Sequence, residues 1–170
     1  DWGIAAPLTG SGADEKRALT GTPAYMAPEM VMGGPIDERT AVYLLGATLH
    51  EIVTARPRHP GSELHAVLMH AVLSEPVSYG EEVPAELAEL ANRATHPDPK
   101  QRPGSAAELR EALQEFLRRR SANALADAAL ERVAELERAL ETPGIDLGEA
   151  YRLVTEARFG FAQSLRETPD

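Results

Sequence analysis

Thr22 lies in the run GTPAYMAPE, Gly21 to Glu29, which gathers a glycine, two prolines, a hydroxyl and a carboxylate. Glycine widens the backbone's choices and proline narrows them, so this is neither a strand nor a helix interior but a loop of imposed shape. A threonine hydroxyl on such a loop can position a reacting group or cap a turn, and the residues alone leave both open. The five histidines offer less. His65 and His70 are five apart, so they do not share one helical face as an i, i+4 ligand pair would. Cysteine is absent, which excludes disulfides and thiol catalysis and fits a reducing compartment. Neither a Gly-x-Ser-x-Gly elbow nor a glycine-rich phosphate loop occurs in the 170 residues.

Charge narrows the partners. Acidic residues outnumber basic ones, 27 to 17, for a formal charge of -10, which repels a nucleic-acid backbone. Only Arg118 to Arg120 concentrates positive charge, at what reads as the end of a helix, where cations favour the dipole. No apolar run approaches the ~20 residues of a membrane span, and no signal peptide is visible.

The positioning elements read as helices. Residues 4 to 20 form a polar loop. Thr40 is the expected N-cap of a helix with Val42, Leu45, Leu49, Ile52 and Val53 at helical spacing, apolar over enough of its surface to be buried. Further helices are expected over Ser62 to Leu73, over Ala85 to Thr95 with Leu87, Leu90, Ala91 and Ala94 on one face, and from a Ser105 cap through Leu117, where Glu108 completes a capping box. Between the last two, HPDPKQRPG must be a loop. Beyond Arg120 an alanine-rich stretch carries Leu125, Ala129, Val133, Leu136 and Leu140 as a narrow stripe. TPG stops it, and Asp146 caps a last helix with Leu147, Tyr151, Val154, Phe161 and Leu165. Two helices about a short turn make an antiparallel hairpin. No strand is expected.

The order of the motifs DWG, GTPAYMAPE, VYLLGATLHEIVTARP and DPKQRP closely resembles the C-terminal lobe of a serine/threonine protein kinase, and most of all bacterial kinases of the eukaryotic type. The resemblance covers residues 1–120: an activation segment, 1–29, and a helical subdomain, 30–120. It implies that Asp1 of DWG binds the magnesium bridging the ATP phosphates. It implies that Gly21, Thr22 and Pro23 shape the pocket beside the phosphoacceptor, Thr22 matching the threonine that bonds the catalytic aspartate and lysine. Glu29 and Arg102 match a buried structural ion pair. Thr9, Ser11 and Thr20 become candidate phosphosites in the activation loop. The catalytic aspartate and lysine lie upstream, so no catalytic residue falls within the chain.

Departures accompany the match. Where the family has an aspartate and a serine at the start of the buried helix, this chain has Ala41 and Leu44. Ala55 takes the place of a helix-ending glycine, and His59 that of an aromatic anchor. The mainly α fold expected is therefore a partial kinase C-terminal lobe followed by a helical hairpin, residues 121–170. The tail is expected to pack on the lobe or on itself, with pairing to a partner and the start of a regulatory repeat left open. The function implied is signalling by transfer of the ATP γ-phosphate to serine or threonine of protein substrates, with ATP and Mg2+ as cofactors. The N-terminal lobe of the same chain is the expected partner, with a further C-terminal domain open and no nucleic acid. The alternative is a catalytically weak or dead pseudokinase acting as a scaffold. The chain reads as part of a longer cytoplasmic protein, with a membrane anchor elsewhere in it left open.

Overall fold

The computed structural model describes residues 21–141 and 146–167. Asp1, Thr9, Ser11 and Thr20 lie outside the described residues. Among those described, the regular structure is helical and contains no strand: α1 Pro28–Met32, α2 Glu38–Thr54, α3 Leu64–Leu73, α4 Ala85–Ala94, α5 Ala106–Leu140 and α6 Leu147–Glu167. Short 3-10 turns occupy Pro23–Tyr25 and Pro99–Gln101. The mainly α class expected from the sequence is the one adopted.

Two compact units divide between Ala112 and Leu113, within α5 and ahead of the boundary expected at Arg120. The expected helix end at Leu117 is corrected. Neither glycine nor proline interrupts Ala106 to Glu141, and the alanine-rich sequence carries the helix through. Arg118 to Arg120 thus stand in mid-helix and complement no helix end; Arg118 and Arg119 reach back to Glu115.

In the first unit, α2 packs on α4 and α3 on α1, while α2 and α3 both pack against the Pro23–Tyr25 turn. The N-cap of α2 is Asp37, not Thr40. The Asp37 carboxylate accepts from the Arg39 and Thr40 amides, and the Thr40 hydroxyl accepts from the Asp37 amide, so Thr40 completes the reciprocal cap from N3. The buried face is also rolled from the expected stripe. Val42 and Leu49 are buried, but Leu45 is 45% and Ile52 76% exposed, and Tyr43, Gly46, Ala47 and His50 take the interior. The reason is close approach. A Cβ added at Gly46 would stand 2.5 Å from the Ala94 Cβ, so α4 meets α2 over small residues. The helix ends on Ala55 in the left-handed region, φ 55°, its N–H donating to the Glu51 carbonyl. The cap shape that glycine favours is kept without the glycine.

The second unit pairs the remainder of α5 with α6. Ala122 and Ala129 are buried on α5, Leu153 and Ala157 on α6. A Cβ added at Gly160 would meet the Ala129 Cβ at 2.9 Å and the Leu125 carbonyl at 3.3 Å, so the helices close over small side chains. The apolar face expected to pack lies elsewhere: Leu147 is 80% and Tyr151 76% exposed, with Val154 and Leu165 exposed beside them.

Candidate functional site

Gly21 opens the loop at φ +133°, a backbone region that side chains rarely adopt. Thr22 follows in an extended conformation, exposed, and Pro23 starts the 3-10 turn. Backbone alone closes that turn, Tyr25 N–H to the Thr22 carbonyl at 3.1 Å and Met26 N–H to the Pro23 carbonyl at 3.2 Å. The Thr22 side chain makes no capping bond. The turn-capping role open to its hydroxyl in the sequence is not taken up.

Beneath Gly21, Thr22 and Pro23 the loop is tied down. The Tyr25 hydroxyl donates to Glu51 of α2 at 2.8 Å, and that carboxylate holds the phenol pKa above its usual value. Met26, Ala27, Pro28 and Glu29 are buried in sequence, with Ala27, Tyr43 and Ala47 forming an apolar knot.

Glu29 and Arg102, 73 residues apart, meet in a two-pronged ion pair, Nη1 to Oε1 at 2.7 Å and Nη2 to Oε2 at 2.8 Å. The other three guanidinium N–H donors go to the carbonyls of His96 at 2.7 Å, Arg39 at 3.1 Å and Pro97 at 3.2 Å. All five donors of the fork are thus used. The guanidinium carbon also sits 4.8 Å from the Tyr43 ring centroid, a cation–π contact. The Thr40 hydroxyl donates to Glu29 Oε1 at 2.8 Å, so the start of α2 and the pair share one side chain. Burial alone would raise the Glu29 pKa, but the Arg102, backbone and Thr40 hydrogen bonds and the Arg102 charge hold it below the usual carboxylate range. Arg39 completes the frame by donating to the Pro99 and Arg102 carbonyls at 3.0 and 2.8 Å.

Several residues here are ones the sequence did not single out as functional. Arg58 is buried, its Nε donating to the Thr95 hydroxyl at 3.2 Å and its Nη2 to the Glu75 carbonyl at 2.6 Å. His59, Tyr43, Ser74 and Thr95 form a buried polar chain. Only His59, standing where an aromatic anchor was expected, signalled that something differs. Tyr25 and Glu51 gave no local signal at all.

Ala41 stands exposed in the first turn of α2 and begins a stripe with Leu45, Thr48 and Ile52 along one side of the helix. Among the described residues no cluster of histidine and acidic side chains could hold a metal ion. The arrangement can shape and hold an extended chain.

The family profile described as "Protein kinase domain" matches residues 1–116. The chain is 36% identical over 115 residues to the serine/threonine-protein kinase PknB of Mycolicibacterium smegmatis, covering 65% of this chain and 18% of that protein. It is 34% identical over 102 residues to the serine/threonine-protein kinase PknD of Chlamydia abortus, 58% of this chain and 11% of the relative. PknB of Mycobacterium tuberculosis matches at 32% over 115 residues, 65% of this chain and 18% of that protein. The chain therefore spans less than a fifth of the length of these relatives.

Proposed function

Because the chain belongs to the protein kinase family, we propose that it supplies the C-terminal lobe of a bacterial serine/threonine kinase that passes the ATP γ-phosphate to protein substrates in signalling. The observation that carries this reading is the loop from Gly21 to Pro23, exposed above and fixed below by the saturated Glu29–Arg102 pair. A wall that reads an extended acceptor must not yield when the acceptor arrives, and a fully bonded buried fork provides that rigidity.

In this reading Gly21 and Pro23 shape the acceptor pocket, and the Thr22 hydroxyl meets the catalytic aspartate and lysine of the same domain. Asp1 offers the hard carboxylate oxygen that Mg2+ takes, and the ion, when bound with ATP, neutralises phosphate charge. Thr9, Ser11 and Thr20 are the phosphorylation candidates. The exposed stripe of Ala41, Leu45, Thr48 and Ile52 is apolar enough to need a cover, and the rest of the kinase domain, N-terminal lobe included, is its natural occupant. Transfer requires that remainder, since these 170 residues hold no glycine-rich loop. A domain that consumes ATP is supplied with it in the cytoplasm, where this reading places the domain, with a membrane anchor elsewhere in the protein left open.

One observation favours a second reading. Ala41 offers no carboxylate where kinases present one to the catalytic-loop backbone, which suits a scaffold with weak or no transfer. The test is phosphate transfer by the full-length protein with Mg-ATP, beside its Asp1→Ala variant. Phosphoserine or phosphothreonine from the first and none from the second is expected. No transfer from a folded full-length protein would leave the scaffold.

A further inference from the structure

We propose that His59 is a positioning residue for the acceptor-reading loop, holding the Ala24 and Met26 carbonyls from beneath while its ring sits at the head of a hydrogen-bond chain of fixed direction. This rests on reading Gly21 to Pro23 as the loop that meets the phosphoacceptor.

His59 is 1% exposed. Its main-chain N–H donates to the Ala24 carbonyl at 3.0 Å. Its ring Nε2 lies 3.2 Å from the Met26 carbonyl and 2.9 Å from the Tyr43 hydroxyl. With the Tyr25 hydroxyl fixed on Glu51, three successive residues of the loop each have a polar atom pinned.

Proton direction along the chain follows from its far end. The Thr95 carbonyl can only accept, so the Ser74 hydroxyl places its single proton there, at 2.7 Å. Ser74 must then accept from the Tyr43 hydroxyl at 2.6 Å, which uses Tyr43's proton. The Tyr43 oxygen can therefore only accept from His59, and the imidazole proton resides on Nε2, the nitrogen that also faces Met26. The opposite nitrogen, Nδ1, is buried without a hydrogen-bond partner, as suits a bare lone pair and not an N–H.

The surroundings favour the neutral ring. Arg58 adjoins it in sequence, His50 and Tyr43 approach on α2, His70 on α3, and Arg102 lies over the Tyr43 ring with its charge paired to Glu29. Burial and the Arg58 charge push the imidazole down to about 4, against the contrary pull of the Met26 carbonyl. The aromatic anchor expected here would fill the same space but could donate to neither Met26 nor Tyr43. In this chain the anchor is polar, and it acts on the backbone that shapes the reading pocket.

The test uses the full-length protein and its His59→Phe and His59→Gln variants, the glutamine amide nitrogen reaching about where Nε2 stands. Amide hydrogen exchange of Tyr25 and Met26, and peptide and ATP KM and kcat, are compared. Loss of the Nε2–H donor shared by Met26 and Tyr43 predicts about tenfold faster loop exchange and about tenfold higher peptide KM in His59→Phe, with ATP KM unchanged. His59→Gln is expected to restore both to within about threefold. Nitrogen-15 NMR of the wild type should show His59 protonated on Nε2. Unchanged loop exchange in His59→Phe, or an Nδ1–H tautomer, overturns the proposal. Should the wild type transfer no phosphate, the kinase reading fails, while exchange and tautomer still decide the role of His59. Should His59→Phe not fold, His59→Gln and the tautomer decide it.

Discussion

Arg102 and Gly160 hold their respective units in opposite ways. The first unit is organised by buried polar groups that use up one another's hydrogen bonds: a guanidinium with five acceptors, a carboxylate with three side-chain donations, a tyrosine–serine–carbonyl chain. The second is a seam of alanines, one glycine and Leu153 between two helices, with Leu147, Tyr151, Val154 and Leu165 left outside. Saturated polar networks specify one arrangement and tolerate little, because each member left alone is a desolvated group without a partner. A small-residue seam specifies close approach, because Gly160 meets Ala129 only without a Cβ of its own.

Five changes would break or sharpen that contrast. The largest effect is expected from Arg102→Ala, which strands the Glu29 carboxylate and should lower stability by ~3–5 kcal/mol in urea denaturation. An effect near one kcal/mol would mean the first unit is not held by its network. Acid should act next. The His59 ring is neutral in the fold, its pKa depressed from about 6.5 to about 4, so the unfolded chain binds more protons between those values. Stability from this residue is full above pH 6.5 and falls as pH drops through that window, by ~3 kcal/mol at most. The depressed Glu29 pKa adds a further loss only below the ordinary carboxylate value. A melting temperature flat from pH 7 to pH 4.5 would contradict this.

The same substitution in both units gives the most direct comparison. Gly46→Ala drives a methyl to 2.5 Å from the Ala94 Cβ and towards backbone, and should destabilise by ~1–3 kcal/mol. Gly160→Ala meets the Ala129 Cβ at 2.9 Å and the Leu125 carbonyl at 3.3 Å, a looser contact than at Gly46, so the helix propensity of ~1 kcal/mol gained at either glycine offsets more of it. Its net change should stay below ~1 kcal/mol, and equal melting shifts for the two would erase the distinction. The last effect is a gain. Ala55→Gly relieves a left-handed alanine at the end of α2 and should stabilise by ~1 kcal/mol.

What the sequence made legible follows the same division. Proline and glycine in GTPAYMAPE dictated a shaped loop, and the period of Leu90, Ala91 and Ala94 placed α4 and its buried face. The buried face of α2 was misjudged because Gly46 carries no hydrophobic signal, yet it decides where α4 can approach. The face of α6 was misjudged for a related reason: Leu147, Tyr151 and Val154 dominate a count of apolar residues, but Leu153 and Ala157 are the buried ones, and Gly160 meets Ala129 because it has no Cβ. Arg118 to Arg120 imitate a helix end that only a glycine or proline would have enforced. The Glu29–Arg102 geometry was expected through resemblance, whereas the chain through His59, Tyr43, Ser74 and Thr95 joins four distant segments and leaves no local pattern to read.

The saturated fork has a consequence for how this sequence can drift. Exchange of arginine for lysine is tolerated wherever only the charge matters. At position 102 an ammonium would bring three donors to acceptors at Glu29, Arg39, His96 and Pro97, and a point charge in place of a flat face over Tyr43. The mildest substitution in the chemical sense would leave buried carbonyls without partners. Any lineage carrying this chain can therefore vary the neighbouring Lys100 and Gln101, both exposed on their turn, far more freely than the guanidinium beside them.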